Sequence, residues 1–583
     1  MTPDVNLNAL WSRLIAEELH RAGVRTAVLC PGSRNSPLLF ALARELGDRV
    51  ISHTDERSAG FIALGIAKAG GGPHGGDPAA VCVTSGSALA NLMPAIVEAH
   101  AARLPLVVIA ADRPWEMHGN GSSQAMPQRG IFAQFLACEL DLGEPTATPA
   151  ALRALRAQVS RIGQVRTGPV MINVPLRDPL PPLPDPAWVM PELPDEVRHG
   201  RAQGGPFTAM IRADAELSAG GWMRPGMAGV IIAGAGDDQF MRAQVLAIAT
   251  GFPLIADAGS GLRVGEVIAR ADALLGGELG NRRPDLVIQV GAAPLARVVY
   301  EWLGRQDCPW IALENGRNQD MLGRAWVAID QPHEPIWRRL MEILGRGDEA
   351  WAARWRRADD AAQKRLAQVM ADEPWGEVLA AHLVCTHPGF AFRHAASSMA
   401  VRHANVHVMP GNTVFANRGV SGIDGTIGTF IGIALAQAAA ARATGAAVPH
   451  GMLIIGDLAF LHDLPALSAA KIPGMRGAIV VLNNDGGGIF DYLAVANVPE
   501  YRQWVRTPHG ADVAGAAAQA GLAYVAVSDR HALSQALAAA AVADAVTIIE
   551  CRVAGGDTVG RHRALLKAMA DAGDFSGKNP ANS

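Results

Sequence analysis

Two strand-like runs late in the chain finish on residues able to hold a divalent cation. MLIIGD ends at Asp457, and GAIVVLNND reaches Asn484 27 residues later, followed by Asp485-Gly486-Gly487-Gly488. A carboxylate, an amide oxygen and a bare backbone carbonyl are hard oxygen donors. Mg²⁺ takes such ligands in near-octahedral geometry, completed by phosphate oxygens and water. The glycines let the backbone approach a phosphate closely, and the carboxyl ends of parallel strands are where open α/β sheets bind ligands. The plainer alternative is a pair of strand-end loops using Asp and Asn as turn formers. A strand before each element favours the cation site.

A second feature lies early in the chain. ISHTDERSAGFIALGIAKA puts Glu56 just ahead of a helix rich in small residues. The strand AAVCVT follows, then SGSALANLMPAIVEAHA, a Gly/Ser turn opening another helix whose start could take an anion or the edge of a ring. A Glu at a helix start is usually a solvated dipole partner, so Glu56 acquires a chemical role only beside a cofactor that needs one tuned acid.

These residues require rigid elements. Short Val/Ile/Ala runs alternate with amphipathic stretches, the pattern of strands buried on both faces of a parallel sheet. Three such blocks occur. The first, 1–180, has strands at Thr26–Cys30, Ala79–Thr84 and Pro105–Ala111. A proline-rich connector, RDPLPPLPDPAWVMPELPDE, follows, with the linker placed at 181–196. The central block, 197–347, has strands at Gly229–Ala233, Pro253–Ala256, Asp285–Val290 and Trp310–Leu313, and 348–376 is a charged helical connector. The last block, 377–556, has strands at Met452–Gly456, Ala478–Leu482, Tyr524–Val527 and Val546–Glu550, and 557–583 reads as a loose tail.

Composition bounds the function. A chain of 583 residues exceeds one hydrophobic core, and about three or four domains are expected. With 49% apolar and 18% charged residues it is globular rather than disordered. A net charge of −4 and a pI near 6.5 argue against nucleic acid or an anionic membrane as partner. A small anionic substrate must therefore meet a local cluster of Arg. The six cysteines, Cys30, Cys82, Cys138, Cys308, Cys385 and Cys551, form no CxxC and read as small buried hydrophobes. MTPDVNLNALWSRL lacks a signal-peptide core, and no apolar run approaches the roughly 20 residues of a membrane helix. A cytoplasmic protein with reduced thiols is expected.

Seven motifs carry a resemblance: CPGSRNSPL (Cys30–Leu38), HTDERSAGFIALGIAK (His53–Lys68), VTSGSALANLMPA (Val83–Ala95), AADRPWE (Ala110–Glu116), ANRGVSGIDG (Ala416–Gly425), GDLAFLHDL (Gly456–Leu464) and NNDGGGIF (Asn483–Phe490). Together they resemble the 2-succinyl-5-enolpyruvyl-6-hydroxy-3-cyclohexene-1-carboxylate (SEPHCHC) synthase family, thiamine-diphosphate enzymes of menaquinone biosynthesis. The likeness runs from Leu7 to about Val553 and is weak in the central block. It implies an α/β fold of three doubly wound parallel-sheet domains, the first binding the cofactor's pyrimidine and the last its diphosphate with Mg²⁺ (or Mn²⁺). It implies decarboxylation of 2-oxoglutarate and conjugate addition of the succinyl carbanion to isochorismate.

Carried over residue by residue, the resemblance makes Glu56 the acid on the aminopyrimidine, and Asp457, Asn484 and the Gly486 carbonyl the metal ligands. Ile423 props the cofactor, while Ile489 and Phe490 form an apolar wall at the reacting carbon. Ser33, Arg34, Arg113 and Gln124 face isochorismate; Ser398, Arg402 and Arg418 lie near the cofactor and the succinyl carboxylate. Both substrates are dicarboxylates, which Arg binds through bidentate, charge-assisted pairs. Departures exist. Ala396-Ser397-Ser398 stands where the family often has Gly-Asn-Ser, Ser123 stands where an Asn commonly precedes Gln124, and Arg297 replaces a substrate-reaching Lys. Asp485 could be mistaken for a ligand, but the spacing favours Asn484. The resemblance further implies a homo-oligomer, dimer or tetramer, in which the first domain of one subunit meets the last domain of another.

Two rivals are weighed. Another carboligase or decarboxylase of the superfamily, acting on single-carboxylate substrates, would not need so many pocket arginines. A non-catalytic dinucleotide-binding protein has only AGAGDD at Ala233–Asp238 in its favour, which is not a full GxGxxG.

Overall fold

The computed structural model describes residues 5–69, 71–72, 75–201, 204–208, 221–234, 240–314, 322, 325–330, 332–555 and 557–574. Three all-parallel sheets organise the described residues. In spatial order the first is Val50–Ser52, Thr26–Leu29, Ala79–Val83, Leu106–Asp112, Val170–Pro175, Cys138–Asp141. The second is Leu254–Ala256, Gly229–Ala233, Leu286–Val290, Trp310–Glu314, Val327–Asp330. The third is Thr413–Ala416, Phe392–Ala395, Gly451–Gly456, Gly477–Asn483, Val546–Arg552, Ala523–Val527. Inner strands such as Ala79–Val83, Leu106–Asp112 and Leu286–Val290 are buried at every position. Helices on both faces demand that, which is why these strands read as unbroken apolar runs.

The first and third sheets share one strand order: second, first, third, fourth, sixth, fifth in chain sequence. The order reverses beside the first strand of each. Crossovers on either side of such a reversal leave in opposite directions and open a crevice at the carboxyl ends of the strands. In the first sheet the crevice lies after Leu29 and Val83; in the third, after Ala395 and Gly456.

The chain forms two compact units. One takes the first sheet together with Asp424–Ala447 and Asp463–Ile472. Within it the helix Thr426–Thr444 packs along Glu56–Ala69 at very close range. A Cβ on Gly432 would sit 2.0 Å from the Ile62 carbonyl oxygen, and one on Gly65 2.2 Å from that of Thr429. At the helix start, Asp463 Oδ2 accepts from Gly428 N at 2.9 Å. This helix corrects an expectation: its 19 residues are apolar and long enough to cross a membrane by length and composition. Its apolar length is instead used in packing, with Thr426–Ala434 buried throughout.

The second unit contains the other two sheets. The connector forms the helix Glu349–Asp372, whose start is capped by Asp348 Oδ1 accepting from Ala350 N and Trp351 N. Trp302 and Trp355 meet edge to face, 5.8 Å between centroids. Leu565 and Met569 join their core, so the expected loose tail is corrected too: Thr558–Gly573 is a helix whose apolar stripe is covered. Residues 575–583 lie outside the described set, as do Ala235–Asp238 of the AGAGDD stretch. Cys138 is exposed and Cys308 half-buried; the other four cysteines are buried as expected.

Several strands escaped the pattern reading. Cys138–Asp141 is a polar edge strand, and Phe392–Ala395 (FRHA) buries Arg393 and His394 completely. Near it lies a buried imidazole group. His382 and His407 approach Nδ1 to Nδ1 at 3.3 Å, and His403 lies against both His407 and His562. Burial, then nearby positive charge, takes His382 down to about 4; burial and then His403 take His562 to about 3.

Two outcomes are expected. Gly432→Ala gains about 1 kcal/mol of helix propensity, yet it drives a methyl into backbone that cannot step aside. Overpacking of about 1–3 kcal/mol should win, read as a lower denaturant midpoint. For the imidazoles, the unfolded chain binds more protons between pH 6.5 and about 3 to 4. Their stabilisation is therefore whole above 6.5 and is lost as pH falls through that window, with a slope of up to about 1.4 kcal/mol per pH unit for each ring. Denaturant titrations of His562→Leu across pH 7 to 4 should show a shallower decline than the unsubstituted protein.

Candidate active site

In the first unit, the loops at the carboxyl end of the sheet deliver most of the expected residues. Ser33 and Arg34 follow the first strand, Glu56 the second, Ser85–Ser87 the third and Arg113 the fourth. Ser33 is exposed, while Arg34 is buried. Arg34 Nη1 donates to the Leu176 carbonyl at 2.7 Å and lies 3.3 Å from Asp178 Oδ2. Arg113 Nη2 donates to Gln124 Oε1 at 3.1 Å. Burial, then the Arg34 charge, holds the Arg113 guanidinium below its ordinary value. Two like charges are thus gathered, and Nε of each lacks a hydrogen-bond partner, as does the buried Ser85 hydroxyl. Buried donors left in this way are rare and call for an acceptor from outside. Glu56 is half-buried, its Oε2 accepting from Asn91 Nδ2 at 3.2 Å.

A supporting layer was not foreseen. Gln128 accepts from Gly86 N at 3.0 Å and donates to the Ala111 carbonyl and to Asn173 Oδ1. Asn173 donates to Asp112, whose other oxygen accepts from Arg113 N. The chain TSGS loop–Gln128–Asn173–Asp112 fixes where Arg113 leaves the sheet. Neither Gln128 nor Asn173 belongs to a motif with chemistry of its own, so nothing in the sequence singled them out.

In the second unit, Asp457 and Asn484 follow adjacent strands and are brought together. Asp457 is buried, and its Oδ2 accepts from Gly486 N at 2.9 Å and lies 3.2 Å from His509 Nε2. Gly486 has φ +126°, and a Cβ there would fall 2.2 Å from the Arg506 carbonyl oxygen, so only glycine fits. Arg506 donates to the carbonyls of Asp485 and Asn484. Asp485 is engaged with another loop: its Oδ1 accepts from His509 N and Gly510 N. Those bonds, the one from Gly510 foremost, hold its carboxyl below the usual range. Among the described residues no cluster of three or more His, Cys, Asp or Glu is placed to bind a metal alone. The donors that do converge, a carboxylate, an amide and a glycine loop, fit a hard cation whose shell is completed by phosphate and water. Arg506 and His509, absent from the motif reading, put a guanidinium and an imidazole beside the same loop.

Ser398 and Arg418 follow the first and second strands of the third sheet, and Arg402 lies one turn along the helix Met399–His407. Burial, then the Arg418 charge, keeps Arg402 below its ordinary value, so these two also form a like-charged pair. Behind them stand buried acids of the central sheet. Asp257 accepts from Leu295 N at 2.6 Å and is pushed up to about 7 by burial and then by Asp272. Asn405 ties the helix to that sheet: its Oδ1 accepts from Ala258 N and Arg263 Nη2, and its Nδ2 donates to Asp272 at 2.7 Å. Ile423 and Ile489 are half-buried and Phe490 is 37% exposed. Arg297 is not gathered with these residues. Its side chain is 89% exposed and pairs with Glu301 one turn on.

Backbone strain marks the same places. Non-glycine residues with positive φ include Ser421 (+58°) and Asp485 (+61°), both inside motifs, and Gln124 (+57°) and Ser398 (+70°), both expected site residues. Such conformations cost about 1–3 kcal/mol and persist where the surroundings impose them.

Residues 11–133 match the family described as "Thiamine pyrophosphate enzyme, N-terminal TPP binding domain", and residues 396–551 match "Thiamine pyrophosphate enzyme, C-terminal TPP binding domain". Fold, loop placement and these matches define a thiamine pyrophosphate enzyme. A relative from Roseiflexus castenholzii is 36% identical over 595 residues, covering 97% of this chain and 100% of its own. One from Myxococcus xanthus is 36% identical over 602 residues, 98% of both chains. One from Geobacillus thermodenitrificans is 33% identical over 579 residues, covering 95% and 94%. All three are named 2-succinyl-5-enolpyruvyl-6-hydroxy-3-cyclohexene-1-carboxylate synthase. The chain belongs to that family.

Ser398 (φ +70°, ψ −133°) has a conformation suited to glycine. Ser398→Gly should raise the denaturant midpoint by relieving about 1 kcal/mol or more, while lowering turnover through loss of the hydroxyl. A fall in stability would show that the hydroxyl, and not the backbone, decides the balance.

Proposed function

We propose that the protein decarboxylates 2-oxoglutarate and joins the four-carbon remainder to isochorismate by conjugate addition, giving SEPHCHC for menaquinone biosynthesis. The observation that carries this reading is the pairing of arginines: Arg34 with Arg113 in one unit and Arg402 with Arg418 in the other. Like charges gathered in loops repel, so each pair calls for an anionic group that both guanidinium groups can hold. Two pairs suit two dicarboxylate substrates.

Thiamine diphosphate, when bound, supplies the carbon nucleophile and the electron sink. The remaining work falls to the chain. Asp457, the Asn484 amide oxygen and the Gly486 carbonyl would hold Mg²⁺ (or Mn²⁺) against the diphosphate. Glu56 would hold a proton at the pyrimidine ring nitrogen, kept in place by Asn91. Ser33, Arg34, Arg113 and Gln124 would seat isochorismate; Arg402 and Arg418 would seat the distal carboxylate of 2-oxoglutarate, with Ser398 beside the cofactor. Ile423, Ile489 and Phe490 present apolar surface that keeps water from the reacting carbon. Fixing two anions in register is where orientation lowers the barrier. We further propose a cytoplasmic homo-oligomer, dimer or tetramer, in keeping with the family resemblance.

Purified protein supplied with both substrates, thiamine diphosphate and Mg²⁺ should form the conjugate adduct, detected by mass spectrometry, and chelation of the metal should abolish it. A charge-assisted bond is worth about 1.5–3 kcal/mol. Arg113→Ala should therefore raise KM for isochorismate by about 10- to 100-fold while CO₂ release from 2-oxoglutarate continues; Arg418→Ala should act on 2-oxoglutarate. Succinic semialdehyde as the sole product would instead identify a plain decarboxylase and overturn the reading.

A further inference from the structure

A buried carboxylate outside all seven motifs touches the metal loop. Glu377 opens the helix Glu377–Thr386 and is 4% exposed. Its Oε2 accepts from Asn484 Nδ2 at 2.8 Å, and its Oε1 lies 3.1 Å from Nε2 of the fully buried His403. His403 stands on the helix Met399–His407, which also carries Arg402. Its Nδ1 has no hydrogen-bond partner.

An amide such as that of Asn484 can be turned two ways, and the two ends differ chemically: one accepts, the other only donates. A carboxylate without its proton can only accept. Glu377 therefore demands the NH₂ end of Asn484. The remaining end, Oδ1, faces Arg506 Nη2 at 3.3 Å, the long end of a hydrogen bond. It is the one atom of that side chain a cation could take. His403 completes the arrangement, its Nε2–H donating to the Glu377 carboxylate oxygen Oε1. We propose that Glu377, held by His403, is a positioning residue that fixes the amide of Asn484 so that oxygen, not nitrogen, is offered to the divalent cation. This rests on the metal role proposed above for Asn484.

The donor logic makes a sharp test. In Glu377→Gln, the group at position 377 can donate as well as accept, so it no longer demands the NH₂ end of Asn484 and the amide is released to turn and present nitrogen to the cation. Adding Asn484→Asp restores a donor–acceptor match with the roles exchanged: the new amide at position 377 donates, and the new carboxylate at position 484 accepts with one oxygen and keeps the other for the metal. Isothermal titration of thiamine diphosphate at a series of Mg²⁺ concentrations reads this without turnover. Outer partners of metal ligands typically change affinity by about 10- to 100-fold. Glu377→Gln should raise the Mg²⁺ concentration for half-maximal binding by that factor, Asn484→Asp alone should also raise it by setting a second carboxylate against the buried Glu377, and the double substitution should return it to within a few-fold of the starting protein. Melting of the ligand-free variants reports folding separately.

If the unsubstituted protein binds thiamine diphosphate without a divalent ion, the metal reading itself fails. If that protein needs Mg²⁺ and Glu377→Gln needs no more of it, the positioning role is wrong. Failure of the double substitution to recover affinity relative to either single one also rejects it. Should Glu377→Gln not fold, the comparison of Asn484→Asp with the double substitution still decides: recovery supports the role and no recovery overturns it.

Discussion

A parallel sheet whose strand order reverses must leave one edge of itself unfinished. Crossovers on the two sides of the reversal diverge, and the loops at the carboxyl ends there have no neighbouring helix to cover their polar groups. The protein contains this arrangement twice, in its first and third sheets, with the same strand order. Nearly every residue assigned to chemistry hangs from one of these two edges: Arg34 and Glu56 from one, Ser398, Arg418, Asp457 and Asn484 from the other. The site is a consequence of topology before it is a consequence of side chains.

What the edges hold is expensive in charge. Arginine pairs repel, and a cation buried without compensation would shift or unfold its surroundings. The central block, which contributes none of the motifs, supplies the compensation for one pair through Asp257 and Asp272, and Asn405 of the helix Met399–His407 donates to Asp272. Burial pushes both carboxyls up, and the neighbouring guanidinium groups pull them back. In the other unit, Asp178 and the Leu176 carbonyl steady Arg34. Close packing does the corresponding work for the cofactor acid. Glu56 starts a helix pressed against Thr426–Thr444, where glycines let backbone touch backbone.

Much of this was legible in the chain. Eleven apolar runs named from the sequence are strands to within a residue or two at each end, because a strand covered on both faces has to be apolar at consecutive positions. The motif loops were legible because glycine, asparagine and serine at strand ends have few other uses. The failures share a cause as well. Cys138–Asp141 and Phe392–Ala395 carry polar residues whose partners come from distant segments. Gln128, Asn173, Glu377 and His509 lie alone among ordinary neighbours and gain meaning only from what they touch.

From sequence alone came the class of the fold, the family resemblance, the metal-type loop and the set of arginines and acids. Those depend on residue type and spacing within a few positions, where backbone geometry leaves little freedom. Only the tertiary structure decided which arginines stand in pairs, which buried acids answer them, which end of the Asn484 amide is held by Glu377, and that an apolar 19-residue helix lays its surface against a neighbour within its own unit. Charge and donor–acceptor matching act over a few ångströms through space, between residues as far apart as Glu377 and Asn484, and no local pattern encodes who will be adjacent.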